Sequence, residues 1–195
     1  MDSGGRADAL GYNTEEVEAI GEGINKYANQ TGEVIVTAIK TNIVDKVAEE
    51  WVSEAAVEYF DQFKDELKQK EASITEVFQN FSDQIGKAGQ NWADQTKGTA
   101  PTMPAVDTVT LDLDVSSMKA TDGNGDRYMY EDIEEKVKGY VENARTEILS
   151  AFANMESEIN AETAFFGGGQ SEAVQEAASS LGDQVNTPKL LAASW

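Results

Sequence analysis

Histidine and cysteine are both missing from the 195 residues. Their absence removes thiol nucleophiles, Cys/His zinc sites, Ser-His-Asp triads and the imidazole general base at one stroke. A chain without cysteine fits any compartment, including the outside of a cell, provided its fold needs no disulfide. Proline is scarce, three in all, and none falls in the first hundred residues. Positive charge is short as well: 15 basic residues face 36 acidic ones, a net charge of −21. Such a chain repels phosphate backbones and anionic membrane surfaces, so nucleic acid is excluded as a partner. No run of about 18 apolar residues exists, so no membrane-inserting helix is expected. The opening MDSGGRADALGY has no apolar core of a cleaved signal peptide. The expected location is secreted or cell-surface, reached without such a signal.

What the chain does have is helical periodicity. Hydrophobic residues make up 40% of it, enough for a real core. Between Trp51 and Trp92 the apolar positions Ala56, Phe60, Phe63, Leu67, Ile74, Val77, Phe81, Ile85 and Ala88 step by threes and fours, broken once at Lys70. That is one stripe on one long helix, about 60 Å at about 1.5 Å per residue. A stripe of that length must find other helices, which predicts an antiparallel hairpin or bundle and no catalytic pocket.

In chain order, residues 1–13 are a flexible lead-in of small and polar residues, and Asn13 or Thr14 caps a first helix with Glu15 and Glu16 in its first turn. Val17, Ile20, Ile24, Tyr27, Thr31, Val34 and Ala38 form its stripe, while Gly21, Gly23 and Gly32 weaken it and offer places of close approach. Val34-Ile35-Val36 alone would pass for a strand. Its continuation through Ile39, Ile43, Val47 and Trp51 holds a period of four, so the whole run reads as helix, with a turn at Trp51-Val52-Ser53. Residues 14–96 then form a first hairpin. A linker follows at 97–107, with Gly98, Pro101 and Pro104. Val109, Leu111, Leu113 and Val115 alternate with polar residues, so any extended segment is expected near 107–116. Tyr130 to Ile159 carries a second strong helical stripe. Phe166-Gly167-Gly168-Gly169 breaks it, and Ser171 restarts a helix to about Leu181. Residues 108–187 read as a second, shorter hairpin and 188–195 as a tail. The expected fold class is all-α: antiparallel long helical hairpins forming a four-helix-bundle-like assembly.

Both halves repeat one plan. A long helix ends at an aromatic (Trp51, Phe166) and the next opens on Ser-Glu-Ala, at Ser53-Glu54-Ala55 and Ser171-Glu172-Ala173. A helix, a Trp-x-Gly turn and a second helix opening with small residues resembles the WxG, or ESAT-six-like, family of type VII secretion substrates. Each copy keeps half of the motif: Trp51 and Ser53 retain the tryptophan, Phe166 and Gly168 the glycine. The resemblance implies two fused hairpins, pairing within one chain or between chains, and contact with the type VII secretion machinery. It also implies an export signal Tyr-x-x-x-Asp/Glu. Tyr128 with Asp132 and Tyr130 with Glu134 fit it, though about one chance match is expected in so acidic a chain. At the start of the third long helix these are read first as surface helix residues.

Chemistry comes close in one other place. Asp122, Asn124 and Asp126 open like a calcium loop, but the positions for glycine and a bidentate glutamate hold Arg127 and Ile133. The reading taken is a polar turn, with Asp126 near a helix N-terminus and no metal. Paired carboxylates such as Glu49 and Glu50 occur on every acidic helix and specify no reaction. Trp51 either plugs the inside of its bend or stands out as a docking knob, the plug being taken first. The expectation is therefore a protein without enzymatic activity or cofactor, acting on a protein partner or on itself through helical faces. A structural or adhesive coiled-coil module is the alternative.

Overall fold

The computed structural model of the protein describes residues 14–163; Phe166, Gly168, the expected helix from Ser171 and both termini lie outside them. Helix α1 (Thr14–Ile39) continues through a π-helical turn (Lys40–Val44) into α2 (Asp45–Glu50). The residues at both junctions are right-handed helical, so the three pieces are one rod. The π turn answers the period of four noted above. Four α-helical residues turn through about 400°, so Ile39, Ile43 and Val47 would drift around an unbroken α-helix. One wider turn absorbs that surplus, and all three are buried.

The rod ends at Trp51, whose backbone is extended, and Ser53 starts the return by accepting a hydrogen bond from the Ala56 amide at 3.2 Å. Neither glycine nor proline makes this turn. The return path is two helices, α3 (Glu54–Lys68) and α4 (Glu71–Thr96), which corrects the single helix expected from Trp51 to Trp92. Gln69 and Lys70 form a tight turn in which the Lys70 amide bonds to the Leu67 carbonyl at 3.0 Å, three residues back. The physical reason is the stripe: Lys70 stands where an apolar residue would have continued it. α4 ends on Lys97, left-handed at φ 55°, with Gly98 N donating to Ala93 O at 2.9 Å.

Residues 97–127 contain no regular element, yet they are not a free linker. They run back along the hairpin as an extended strap beside α1 and α4. Thr14 Oγ1 donates to Thr99 O at 3.0 Å, and Glu18 accepts from the Thr102 amide at 2.9 Å. Asn25 clamps two backbone groups at once, donating to Ala105 O at 3.0 Å and accepting from Asp107 N at 2.7 Å. From the α4 side, Thr75 Oγ1 accepts from Val109 N at 2.9 Å and Glu71 from Leu111 N at 2.7 Å. Lys68 closes this stretch on Asp112 at 2.7 Å; that hydrogen bond holds the lysine ammonium above its ordinary range. The period-two pattern is real, since Val109, Leu111 and Leu113 are buried while Thr110, Asp112 and Asp114 are exposed. Its backbone partners are helix side chains in place of a neighbouring strand. Burial of each of these three side chains is worth about 1.5–3 kcal/mol. Two of the glycines flagged in α1 are where the strap comes closest: a Cβ on Gly32 would stand 2.5 Å from Thr110 O, and one on Gly21 2.8 Å from Met103 and Pro104.

The strap returns the chain to the hairpin's turn end, where Tyr128–Met129 (β2) pairs antiparallel with Trp51–Val52 (β1). This two-residue ladder lies outside the interval where extended structure was expected. Helix α5 (Ile133–Thr163) then runs antiparallel to α1, with Tyr130 N bonded to Glu50 O at one end and Met155 Sδ 3.7 Å from Thr31 Oγ1 towards the other. The protein is thus mostly helical, with three long helices and this one small sheet among the described residues. One hydrophobic cluster joins α1, α3, α4, the strap and α5.

Candidate functional site

The turn end gathers most of the residues that the sequence singles out. Trp51 is half-buried, packed against the core and 5.9 Å from the Tyr59 ring; Val52 beside it is nearly fully buried. Ser53 is the helix cap described above. Tyr128 lies on β2 and Tyr130 just after it, so these and Asp132 precede α5, correcting their placement on that helix. Glu134 stands exposed in the first turn of α5. Asp122, Asn124 and Asp126 form the turn before β2. The Asp122 carboxylate accepts from the Asn124 and Asp126 amides, each at 2.8 Å, so one oxygen is taken up by its own loop. Gly125 there has φ 82°, the left-handed conformation that glycine tolerates. Asp126 is seven residues short of α5 and does not cap it. Among the described residues no three acidic side chains are grouped so as to hold a metal ion.

Side-chain bonds knit the turn end together. Tyr128 OH donates to the Glu49 carbonyl at 3.3 Å, and its ring stacks on Tyr130 with centroids 5.7 Å apart at 28°. Glu50, its side chain 13% exposed, accepts from Tyr140 OH at 2.5 Å and lies 3.7 Å from Lys136 Nζ. The Tyr140 bond to Glu50, with burial second, pushes the phenol up to about 12. Lys136 also reaches Asp132 at 3.4 Å and sits 5.5 Å over the Tyr130 ring. Arg127 pairs loosely with Glu54 at 3.8 Å.

At this end stand Tyr128, Met129 and Tyr130, 37%, 58% and 49% exposed. They are three of the four large hydrophobic side chains exposed among the described residues, and they are consecutive; Leu149 is the fourth. Charge surrounds them: Glu49, Glu54, Glu131, Asp132, Glu134 and Glu135 are all exposed near this end. The sequence reading takes the two tyrosines as surface helix residues and motif letters, with Tyr130 opening a helical stripe, dismisses Glu50 as one of an unspecific acidic pair, and passes over Met129, Tyr140 and Lys136. The available signal was the unbroken Tyr-Met-Tyr between a glycine-bearing turn and an acidic helix start. The groups gathered here offer an aromatic surface on a hydrogen-bonded scaffold. Comparison with family models, with curated proteins and with solved structures finds no match for this chain.

Proposed function

We propose that this is a non-enzymatic helical-hairpin protein that works by docking a protein partner, similar in plan to the WxG substrates of type VII secretion. The observation that carries the reading is the exposed Tyr128-Met129-Tyr130 surface, tied by β2 and Glu50 to the Trp51–Ser53 turn between α2 and α3. Exposed apolar groups held by such bonds cost little to order on binding, which suits them to docking. Export without a cleaved signal peptide, a second hairpin completed around Phe166 and Gly168, and a four-helix-bundle-like assembly belong to the same proposal. Tyr128 with Asp132, or Tyr130 with Glu134, would then be read by the export machinery as part of this surface.

The test is secretion from a bacterial host with a type VII system, with and without its ATPase. Wild-type protein should reach the medium only when the ATPase is present, and Met129→Asp should stay inside the cell while folding normally. Secretion that ignores the ATPase would end the type VII reading. One feature favours the alternative, a structural or adhesive module: the strap already seals the groove between α1 and α4, so this part of the bundle needs no second chain. A protein whose Met129→Asp variant assembles and functions unchanged would belong there.

A further inference from the structure

We propose that the partner segment received by the Tyr128-Met129-Tyr130 surface is basic, an arginine-bearing stretch of a second protein whose guanidinium groups stack on the tyrosine rings. The inference rests on the docking reading above and names the chemistry of its partner. Three observations converge on it.

First, the two rings are stacked and exposed, and an aromatic face attracts a cation through its quadrupole. Second, the protein itself already uses one ring in this way, with Lys136 Nζ 5.5 Å from the Tyr130 centroid. Third, exposed carboxylates near this end outnumber its cations: Glu49, Glu54, Glu131, Asp132, Glu134 and Glu135 stand against Arg127 and Lys136, which pair with Glu54 and Asp132, within a chain of net charge −21. An acidic partner would bring like charge against this field and an apolar one would gain nothing from it, whereas a basic segment is drawn in by it. Arginine fits better than lysine because its planar, weakly hydrated head can stack on a ring and bridge a carboxylate together. Met129, the most exposed of the three, supplies an adaptable apolar contact for the side-chain stem.

The experiment measures fluorescence anisotropy of a fluorescein-labelled peptide of alternating arginine and glycine, at about 0.15 M salt, where distant surface charges are screened. The full chain is compared with the double variant Tyr128→Thr/Tyr130→Thr, which keeps the net charge and retains strand-forming residues. Binding should weaken about tenfold in the variant, and the matching lysine peptide should bind the wild type more weakly than the arginine one. Should the double variant lose its helical circular dichroism, Glu131→Gln/Asp132→Asn replaces it, read against Glu22→Gln/Glu33→Gln, an equal loss of charge on α1. The first pair should weaken binding and the second should not.

Equal binding by wild type and variant would overturn the proposal, since net charge alone would then hold the peptide. So would a wild-type dimer that the tyrosine substitutions convert to monomer, which would make a second copy the occupant. If the wild type ignores the arginine peptide while Met129→Asp still blocks secretion, the basic partner is wrong and the docking surface stands. If Met129→Asp also leaves secretion unchanged, both fall.

Discussion

Two glycines in similar helical surroundings should respond to alanine in opposite directions. In the interior of a helix, alanine is favoured over glycine by up to about 1 kcal/mol. Gly139, in α5, has nothing within 4 Å of where a Cβ would stand, so Gly139→Ala should collect most of that gain. Gly32, in α1, is different. Its new Cβ would meet Thr110 O at 2.5 Å and Val109 Cγ1 at 3.2 Å, the first being backbone that cannot rotate away. Relief requires moving the strap by about 0.9 Å, to the 3.4 Å of ordinary contact. The residues to be moved include Val109 and Leu111, both fully buried, with amides bonded to Thr75 at 2.9 Å and Glu71 at 2.7 Å. Stretching those bonds towards their limit costs about 0.5–1.5 kcal/mol each, and overpacking adds about 1–3. After the helical gain is subtracted, Gly32→Ala should lose about 1–5 kcal/mol. Urea denaturation followed by circular dichroism reads both, as a lower midpoint for Gly32→Ala and a higher one for Gly139→Ala at unchanged slope. If Gly32→Ala proved as stable as the wild type, the strap would not be seated on α1 as described, and the account of the groove would fail with it.

Phe60, fully buried beside Tyr59 and Phe63, should cost about 3–5 kcal/mol on truncation to alanine, while half-buried Trp51 should cost less, about 1–3; losses equal in denaturant melts would mean that Trp51 plugs the bend as completely as Phe60 fills the core. Tyr140 is a raised acid, moved from 10.0 to about 12, so the folded state holds its proton more tightly than the unfolded chain. Its contribution is therefore complete below pH 10 and lost as pH rises through about 12. An ultraviolet titration should contain a late tyrosine step that disappears in Tyr140→Phe; loss of an early step would refute the assignment. Millimolar calcium should raise the melting temperature no more than sodium chloride of equal ionic strength, and a rise abolished by Asp122→Ala/Asp126→Ala would expose a metal site in that turn.

Helices and their faces were the legible part of the sequence, because a stripe at steps of three and four is a local signal. The turn at Trp51–Ser53 was legible from the aromatic and the Ser-Glu-Ala opening, without a breaker residue. The π turn had a signal too, the period of four from Ile39 to Val47, but that period reads equally well as plain helix. The bend at Gln69–Lys70 showed only as one absent apolar residue, since both positions stay right-handed helical. The path of the strap was illegible for a different reason. Its alternation was visible, but its bonding partners are single side chains such as Asn25 and Thr75, and nothing local says which amide they will hold. The surface at Tyr128–Tyr130 is likewise a product of two segments far apart in the chain, the α2 end with β1 and the stretch from β2 into α5.

The strap also sets the order in which the protein can assemble. Its bonds to α1 join residues 80 to 85 positions apart, Asn25 to Ala105 and Thr14 to Thr99, whereas each helix needs only neighbours. Closing so long a loop is costly in entropy until both walls of the groove exist. Residues 99–113 gain their bonds only where α1 and α4 already stand side by side, so the hairpin comes first and the strap after it. A ribosome or a translocation channel that delivers the chain from its N-terminal end presents the segments in that sequence; delivery from the other end would offer the strap a groove that does not yet exist.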